Sequence, residues 1–560
     1  MKYKYTYMPT ASCRTFLPGD ENIFDYYVRN TAAYGNTNTF VHYGKNHDKA
    51  EFIADIKAMS AYFSKDLGLK RGDVFTIFMP TTPESLIILF ALNRIGVIAA
   101  MVHPMTPPDA LVETMRFTKS RGIAILDMFL PKFATAIEKL GVPCLACVPA
   151  TYAYPVKYAA PADENAILSA KDIKNLGIYP QILKKFENDD AEALSSCKDD
   201  ICVYMNGGGT TGVSRTIKLT NYNINWITWM TDDDNYPLKN PGVDTMICCM
   251  PMFHAFGLVA GPLAGLHEGA KIALMPQFDA DKFIAIIKSE NVFEFNGVPN
   301  MYKKLISHPD FDGPHLASVR TIYCGGDALH KSEIEKMIAI LRKNGSNAQV
   351  CQGYGLTECG AVNAVNRPWD NKPGTIGVPQ RFETIEIWDD DNKPLPNGQV
   401  GQIAITGPNV MAGYLTAENK PDEGIYFDEQ GDRWVLTGDL GYMDDSGFLT
   451  FVARKKRVII ISGYNVYPRD IENRLATYPE IRECCAVQGY IGSKPIVRLF
   501  VVLNDENTDK KALEEKIIAE CREKINNFAV PSEFRYIDAL PRTKLEKVDF
   551  ISLSQFKPEE

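Results

Sequence analysis

A chain of 560 residues exceeds the size at which one hydrophobic core stops growing, so two or more domains are expected. With 45% hydrophobic and 23% charged residues, its composition excludes a disordered or fibrous chain. A net charge of -9 argues against nucleic acid as the main partner.

Residues 1–9 are polar and tyrosine-rich and lack the apolar centre of a secretion signal, so a cytoplasmic protein is expected. Residues 74–79 read as a strand. Thr82-Pro83-Glu84 then supplies an N-cap, a first-position proline and a first-turn acid for a helix running to about Ile95. Gly96 stops that helix, and residues 97–102 form the next strand. The apolar stretch 86–102 is interrupted by Asn93, Arg94 and Gly96, which excludes it as a membrane span. Cys144 and Cys147 have CxxC spacing but no second pair, so they read as small buried residues, and all thirteen cysteines are expected as reduced thiols.

The strand–helix–strand pattern recurs further on. Residues 245–250 and 271–275 flank a helix at 257–267, and residues 319–324 and 349–352 flank an amphipathic helix at 332–343. Such alternation implies parallel sheets covered by helices. From about Phe382 short strands and turns such as Asn397-Gly398 and Asp444-Asp445-Ser446-Gly447 take over. The basic run Arg454-Lys455-Lys456-Arg457 leads at once into Val458-Ile459-Ile460-Ile461, so it reads as a turn into a strand. Strands near Val458, Ala486 and Arg498 and helices at 468–476 and 511–525 follow. The expected fold class is α/β, with an N-terminal domain over residues 1–455 and a compact α+β domain over 456–560.

Four motifs carry chemistry. Asn206-Gly207-Gly208-Gly209-Thr210-Thr211-Gly212-Val213-Ser214-Arg215 has glycines that let backbone N–H groups close around phosphate oxygens, with hydroxyls and a cation to complete the cradle. It is not a Walker loop, because Val213-Ser214 stands where that motif needs Lys-Ser/Thr. Gln352-Gly353-Tyr354-Gly355-Leu356-Thr357-Glu358 offers a ring for a base, a hydroxyl for phosphate and a carboxylate for magnesium. Trp434-Val435-Leu436-Thr437-Gly438-Asp439-Leu440 places a carboxylate where it can accept ribose hydroxyls, with Arg454 fifteen residues on. Leu540-Pro541-Arg542-Thr543-Lys544-Leu545-Glu546-Lys547 presents a lysine on an extended loop. Taken singly, each could be a turn or a solvated surface. Their order is what carries weight.

Together they resemble the adenylate-forming superfamily, the AMP-dependent synthetases and ligases that include acyl-CoA synthetases, luciferases and the adenylation domains of peptide synthetases. The resemblance also takes in Pro251-Met252-Phe253-His254-Ala255-Phe256-Gly257, Gly297-Val298-Pro299, Cys324-Gly325-Gly326-Asp327, Gly374-Thr375-Ile376-Gly377-Val378-Pro379, Gly407-Pro408 and Met411-Ala412-Gly413-Tyr414. It implies a large N-terminal domain of helix-covered mixed sheets plus a distorted barrel, which binds ATP and the acyl group. A small mobile C-terminal lid would carry the catalytic lysine.

By position, the resemblance implies that Gly207, Gly208, Gly209, Thr210, Thr211, Gly212 and Arg215 hold the β- and γ-phosphates, with Thr210 and Glu358 at the magnesium ion. Tyr354, between Gly353 and Gly355, would stack on adenine, and Thr357 would contact the α-phosphate. Asp439 and Arg454 would grip the ribose. His254 would sit by an acyl pocket whose wall includes Gly325 and Gly326, and Asp327 beside them would be a cofactor-binding residue. Lys456 would be the hinge, Gly463 would admit pantetheine, and Lys547 would bridge the carboxylate and the α-phosphate. The chain departs from the usual pattern at Arg215 (commonly lysine), Thr216 and Glu546 (commonly glycine) and Gln402 (commonly glutamate). No required charge is lost.

The implied activity is that of an ATP-dependent, AMP-forming acyl-CoA synthetase with ATP, Mg²⁺ and coenzyme A as cofactors. No carrier domain follows Lys547, so free coenzyme A or a stand-alone carrier protein is the expected acceptor. Ser462-Gly463-Tyr464-Asn465-Val466-Tyr467-Pro468 resembles the coenzyme A version of its segment. The expected acid is a medium- or long-chain fatty acid, with pocket walls at residues 223–231, the His254 segment and residues 296–302. Asp232 to Asp234 read as solvated. Alternatives are an acyl-AMP ligase loading a carrier protein, an aryl-acid ligase, a luciferase-like oxygenase and a silent nucleotide sensor. The sequence leaves a homodimer open.

Overall fold

The computed structural model describes residues 16–194, 197–207, 215–234, 240–416, 424–461, 464–492, 494–542 and 548–556. Among them, those of 1–207, 215–385 and 405–435 gather into one compact unit, and those of 386–404 and 436–560 into a second.

Two mixed sheets organise the first unit. A nine-stranded sheet has at its centre the parallel run Gln349–Tyr354, Thr321–Cys324, Asn291–Gly297, Asp244–Cys248, Lys271–Leu274 and Asn38–His42, with antiparallel strands at both edges. An eight-stranded sheet runs parallel from Ile201–Asn206 through Ile98–Met101, Val74–Phe78, Ser120–Leu126 and Cys144–Cys147 to Leu176–Ile178. Cys144 and Cys147 are therefore buried strand residues, as their apolar surroundings imply.

The helix Pro83–Arg94 illustrates how local sequence meets packing. Thr82 and Ser85 form a reciprocal capping box, Pro83 takes the first position, and every residue from Pro83 to Arg94 is buried. A helix apolar nearly all round has no solvent face to offer, so it lies inside the core. The segment expected as one helix at 257–267 is instead broken. Ala255–Leu258 and Ala264–Glu268 are α-helical, while Val259–Leu263 forms a π-turn with Gly261 outside helical geometry and Pro262 inside it. Proline lacks the N–H that would continue the ladder, and the kink follows.

Short strands from residue 384 onward, in the region where the sequence changes texture, form a five-stranded sheet. Its order is Thr384–Trp388, Gly401–Thr406, Arg433–Met443 and Ile425–Phe427, with Leu449–Arg454 also paired to Arg433–Met443. Within the second unit Ile481–Ile491, Lys494–Leu503 and Glu533–Tyr536 form a three-stranded sheet. The helices Pro468–Leu475 and Lys510–Lys524 send Ile471, Leu475 and Ile517 into the core it shares with Val497 and Leu499. Among the described residues no helix is long and apolar enough to cross a membrane.

Candidate active site

The glycine-rich loop joins two antiparallel strands, Ile201–Asn206 and Thr216–Thr220. Gly208, Gly209, Thr210, Thr211 and Gly212 lie outside the described residues, as do Gly463 and Lys547. The base of the loop is described. The Gly207 N–H donates to the Arg215 carbonyl at 2.9 Å, and the Thr216 hydroxyl donates to the Asn206 side chain at 3.2 Å. On the other side of Thr216–Thr220 lies Gly413–Leu415, with Tyr414 opposite Ile217. That register sets the Arg215 guanidinium over the Tyr414 ring, 5.1 Å from its centre.

A second turn meets the first. Beyond the strand Gln349–Tyr354, Gly355 packs so closely that a Cβ there would stand 1.5 Å from the Ala361 carbonyl oxygen, which only glycine avoids. Thr357–Cys359 then form a single 3₁₀ turn. It presents Glu358, whose Oε1 accepts the Tyr414 hydroxyl at 3.1 Å, and a Cβ on Gly207 would lie 3.7 Å from the same oxygen. Gly207, Arg215, Tyr414 and Glu358 thus converge, while Tyr354 and Thr357 flank them half-buried. Burial first, and then the Glu358 carboxylate, push the Tyr414 phenol up, so it remains a protonated donor.

Glu358 is half-exposed and uses one oxygen for Tyr414. Mg²⁺ commonly takes one or two carboxylates and fills its remaining positions with substrate phosphates and water. A single carboxylate oxygen beside the base of the glycine-rich loop fits that ion. Among the described residues no cluster of three or more His, Cys, Asp or Glu forms an all-protein metal cage.

The segments expected on the acyl side also come together. His254 is the residue before the short helix Ala255–Leu258, and its N–H donates to the Pro251 carbonyl at 3.0 Å. The turn needs Gly257, since a Cβ there would lie 2.1 Å from that carbonyl oxygen. The Gly325 N–H donates to the Gly297 carbonyl at 3.1 Å, and a Cβ on Gly325 would sit 3.4 Å from the Phe256 ring. Asp327 is exposed and accepts the Ala328 N–H at 2.8 Å, so its carboxylate serves its own turn.

Several polar groups of residues 223–231 are spent inside the fold. The Asn223 amide donates to the Pro408 and Val410 carbonyls, and Thr228 and Thr231 bond back to their own helix. One expectation is corrected here: Asp234 is not solvated. It is 2% exposed, pairs with Arg367 Nε at 2.6 Å, and its carbonyl accepts the Tyr323 hydroxyl at 3.0 Å. Its partner lies 133 residues away, so three adjacent aspartates gave no sign of it.

In the second unit, Asp439 and Arg454 face each other across paired strands, with Arg454 Nε 2.9 Å from Asp439 Oδ1. The Asp439 N–H donates to Thr437 Oγ1, whose hydroxyl donates to the Ile403 carbonyl. Lys455 pairs with Asp390 at 2.8 Å, while the next residue, Lys456, is exposed.

Residues 28–415 match the family model described as AMP-binding enzyme, and residues 470–547 match its C-terminal domain. The chain belongs to the AMP-binding enzyme family. A long-chain-fatty-acid–CoA ligase of Escherichia coli is 26% identical over 548 residues, covering 94% of this chain and 93% of that protein. A 4-coumarate–CoA ligase of Petroselinum crispum is 29% identical over 493 residues, covering 86% and 84%. Among solved structures, ATP-bound MatB of Rhodopseudomonas palustris has the same fold, with a TM-score of 0.79 at 21% identity over 96% of this chain and 99% of that one.

In this AMP-binding enzyme the motif reading left Tyr414 without a role, although its Met-Ala-Gly-Tyr string was visible. It missed Asn363, Glu383 and Asn409 altogether. A signal for Glu383 existed. Ile385 and Ile387 alternate inward along their strand, and Glu383 shares their parity.

Proposed function

We propose that this AMP-forming acid–thiol ligase activates a medium- or long-chain fatty acid as its acyl-adenylate and transfers the acyl group to coenzyme A. The observation that carries the nucleotide part is the convergence of the Gly207–Arg215 loop base with Glu358 through Tyr414. A carboxylate resists nucleophilic attack because oxide is a poor leaving group. Attack of its oxygen on the α-phosphorus of ATP releases pyrophosphate and makes AMP the leaving group.

In this reading Arg215 binds the departing phosphates, as an always-charged and bidentate donor. Thr357 and Lys547 orient and neutralise the α-phosphate, Tyr354 lies against adenine, and Asp439 with Arg454 holds the ribose. Magnesium, held by Glu358 and Thr210, would neutralise phosphate charge. A thiolate then displaces AMP. Residues 456–560 act as the mobile lid, with Lys456 its hinge and Gly463 in the segment that admits pantetheine.

Support for a fatty acid comes from the names of the curated relatives and from Phe256 packed against Gly325. An amino acid is disfavoured, because Arg367 already occupies Asp234. A carrier-protein acceptor is the second reading, and we place the enzyme in the cytoplasm.

The test is acid-dependent conversion of Mg·ATP to AMP and pyrophosphate across short to long fatty acids and aryl acids. Turnover should be greatest with a fatty acid of medium or long chain. Release of ADP and phosphate would reject adenylate chemistry, and preference for an aryl acid would reject the substrate assignment.

A further inference from the structure

Directly behind the Thr357–Glu358 turn lies a buried polar cluster that the reaction as described does not use. Asn363 Nδ2 donates to Glu383 Oε1 at 2.7 Å and to the Cys359 carbonyl at 3.1 Å, while its Oδ1 accepts the Leu356 N–H at 3.0 Å. Asn409 Nδ2 donates to the same Cys359 carbonyl at 2.8 Å and the same Glu383 oxygen at 3.2 Å. The peptide groups just before and just after Thr357–Glu358 are therefore held by two amides, and both amides converge on one carboxyl oxygen. The Met411 N–H, two residues beyond Asn409, donates to the Glu358 carbonyl at 2.8 Å.

This is an expensive arrangement to keep for packing alone. Glu383, Asn363 and Asn409 are all buried, and a buried acid with no cation beside it costs stability that apolar residues of the same volume would not. Burial holds the Glu383 carboxyl well above the usual carboxylate range, which favours its neutral form. A neutral acid offers an acceptor to the two amides and a hydroxyl besides. Among the described residues Asn409 Oδ1 is a buried acceptor with no donor, and it borders the same spot as Glu383. A Cβ on Gly407 would lie 2.8 Å from that oxygen and 3.3 Å from Glu383 Cγ.

We propose that Glu383 is a positioning residue for the Thr357–Glu358 turn: it gathers the Asn363 and Asn409 amides, which clamp the peptide groups on either side, and so fixes where the Glu358 carboxylate meets the metal and phosphates of the nucleotide. The proposal rests on the reading of Glu358 as the magnesium carboxylate. Glu383 touches no reacting atom. Its effect is on the binding of Mg·ATP and leaves the acid site alone. A neutral carboxyl and an amide share shape and hydrogen-bonding pattern, whereas leucine fills the space and supplies no acceptor.

The test uses the full-length enzyme and acid-dependent pyrophosphate release, with Mg²⁺, ATP and acid titrated separately. Glu383→Leu should raise the KM for Mg·ATP and the Mg²⁺ activation constant by roughly tenfold, the effect of losing about one buried hydrogen bond at the turn. The KM for the acid should stay within about twofold of the parent, as expected when only nucleotide binding is affected. Glu383→Gln should restore both Mg·ATP and Mg²⁺ constants. Parent-like constants in Glu383→Leu overturn the proposal, as does equal impairment of Glu383→Gln or a rise in all three constants together. Should Glu383→Leu not fold, Asn409→Ala removes one clamp amide with a smaller perturbation. It must shift the same two constants in the same direction. Glu358→Gln is measured alongside. If it keeps the parent's Mg²⁺ dependence, the metal reading falls and the proposal with it. If it loses that dependence while Glu383→Leu does not, the proposal alone falls.

Discussion

Asp439 has no exposed side-chain surface, yet half the side chain of its partner Arg454 is in solvent. This asymmetry makes Asp439→Ala an informative variant. The guanidinium left behind can be hydrated, so the loss of folding stability is small. In the proposed ribose-binding role, charge-assisted hydrogen bonds to the sugar are lost as well, at about 1.5–3 kcal/mol each. The KM for ATP should therefore rise steeply while the melting temperature moves little, and a variant with the parent's ATP KM would remove Asp439 from the nucleotide site. Residue identity made Asp439, Arg454 and Glu358 legible as candidates, because charge at a turn is visible in a string of letters. It did not show that Asp234 is consumed by Arg367, because that pairing is made across the fold.

Among the elements, the broken helix before Gly269 carries a titration that can be checked. His267 is buried, its Nδ1–H donates to the Leu263 carbonyl at 2.6 Å, and its ring lies against Tyr26 at 4.8 Å. Burial lowers its pKa from 6.5 to about 4. Below pH 6.5 the unfolded chain takes up a proton that the folded chain refuses, so this contribution to stability is complete above pH 6.5 and is lost as the pH falls toward 4. The loss approaches about 3 kcal/mol. Glu84 and Glu294, pushed up to about 8 by burial, act with the opposite sign and lose stability between pH 4.5 and 8. Urea unfolding of the parent and of His267→Gln isolates the histidine. The variant should lose less stability than the parent between pH 6.5 and 4.5, and parallel curves would show that His267 is already protonated in the fold. Sequence periodicity located this element but read it as one continuous helix, because the apolar pattern is indifferent to a kink that Pro262 imposes.

For the whole molecule, the proposed division of labour turns on Lys547. If residues 456–560 act as a lid that offers one face for adenylation and another for thiol transfer, a lysine on the first face serves only the first half-reaction. Lys547→Ala should slow acyl-adenylate formation by about 10²–10³, the usual effect of removing one electrostatic contact to a transition state. Given preformed acyl-adenylate and coenzyme A, the same variant should make thioester at close to the parent rate. Equal losses in both assays would falsify the lid reading. Glu546 stands beside Lys547 in sequence, so Lys544→Ala is the companion variant that shows which lysine acts.

What the sequence determined by itself was whatever is local or ordered along the chain. The strand–helix alternation, the Thr82–Ser85 cap, the glycine-rich loop and the order of the four motifs depend on neighbours within a few residues, and they led directly to the family. What only the tertiary structure decided was where long-range polar groups meet. Tyr414 joins Arg215 to Glu358 because an edge strand from far along the chain pairs in one particular register. Asn363, Glu383 and Asn409 form a buried clamp because three separate segments place their side chains in one dry spot. A buried hydrogen bond has its strength from the water it excludes, and which atoms lose their water is settled only when the chain has folded around them.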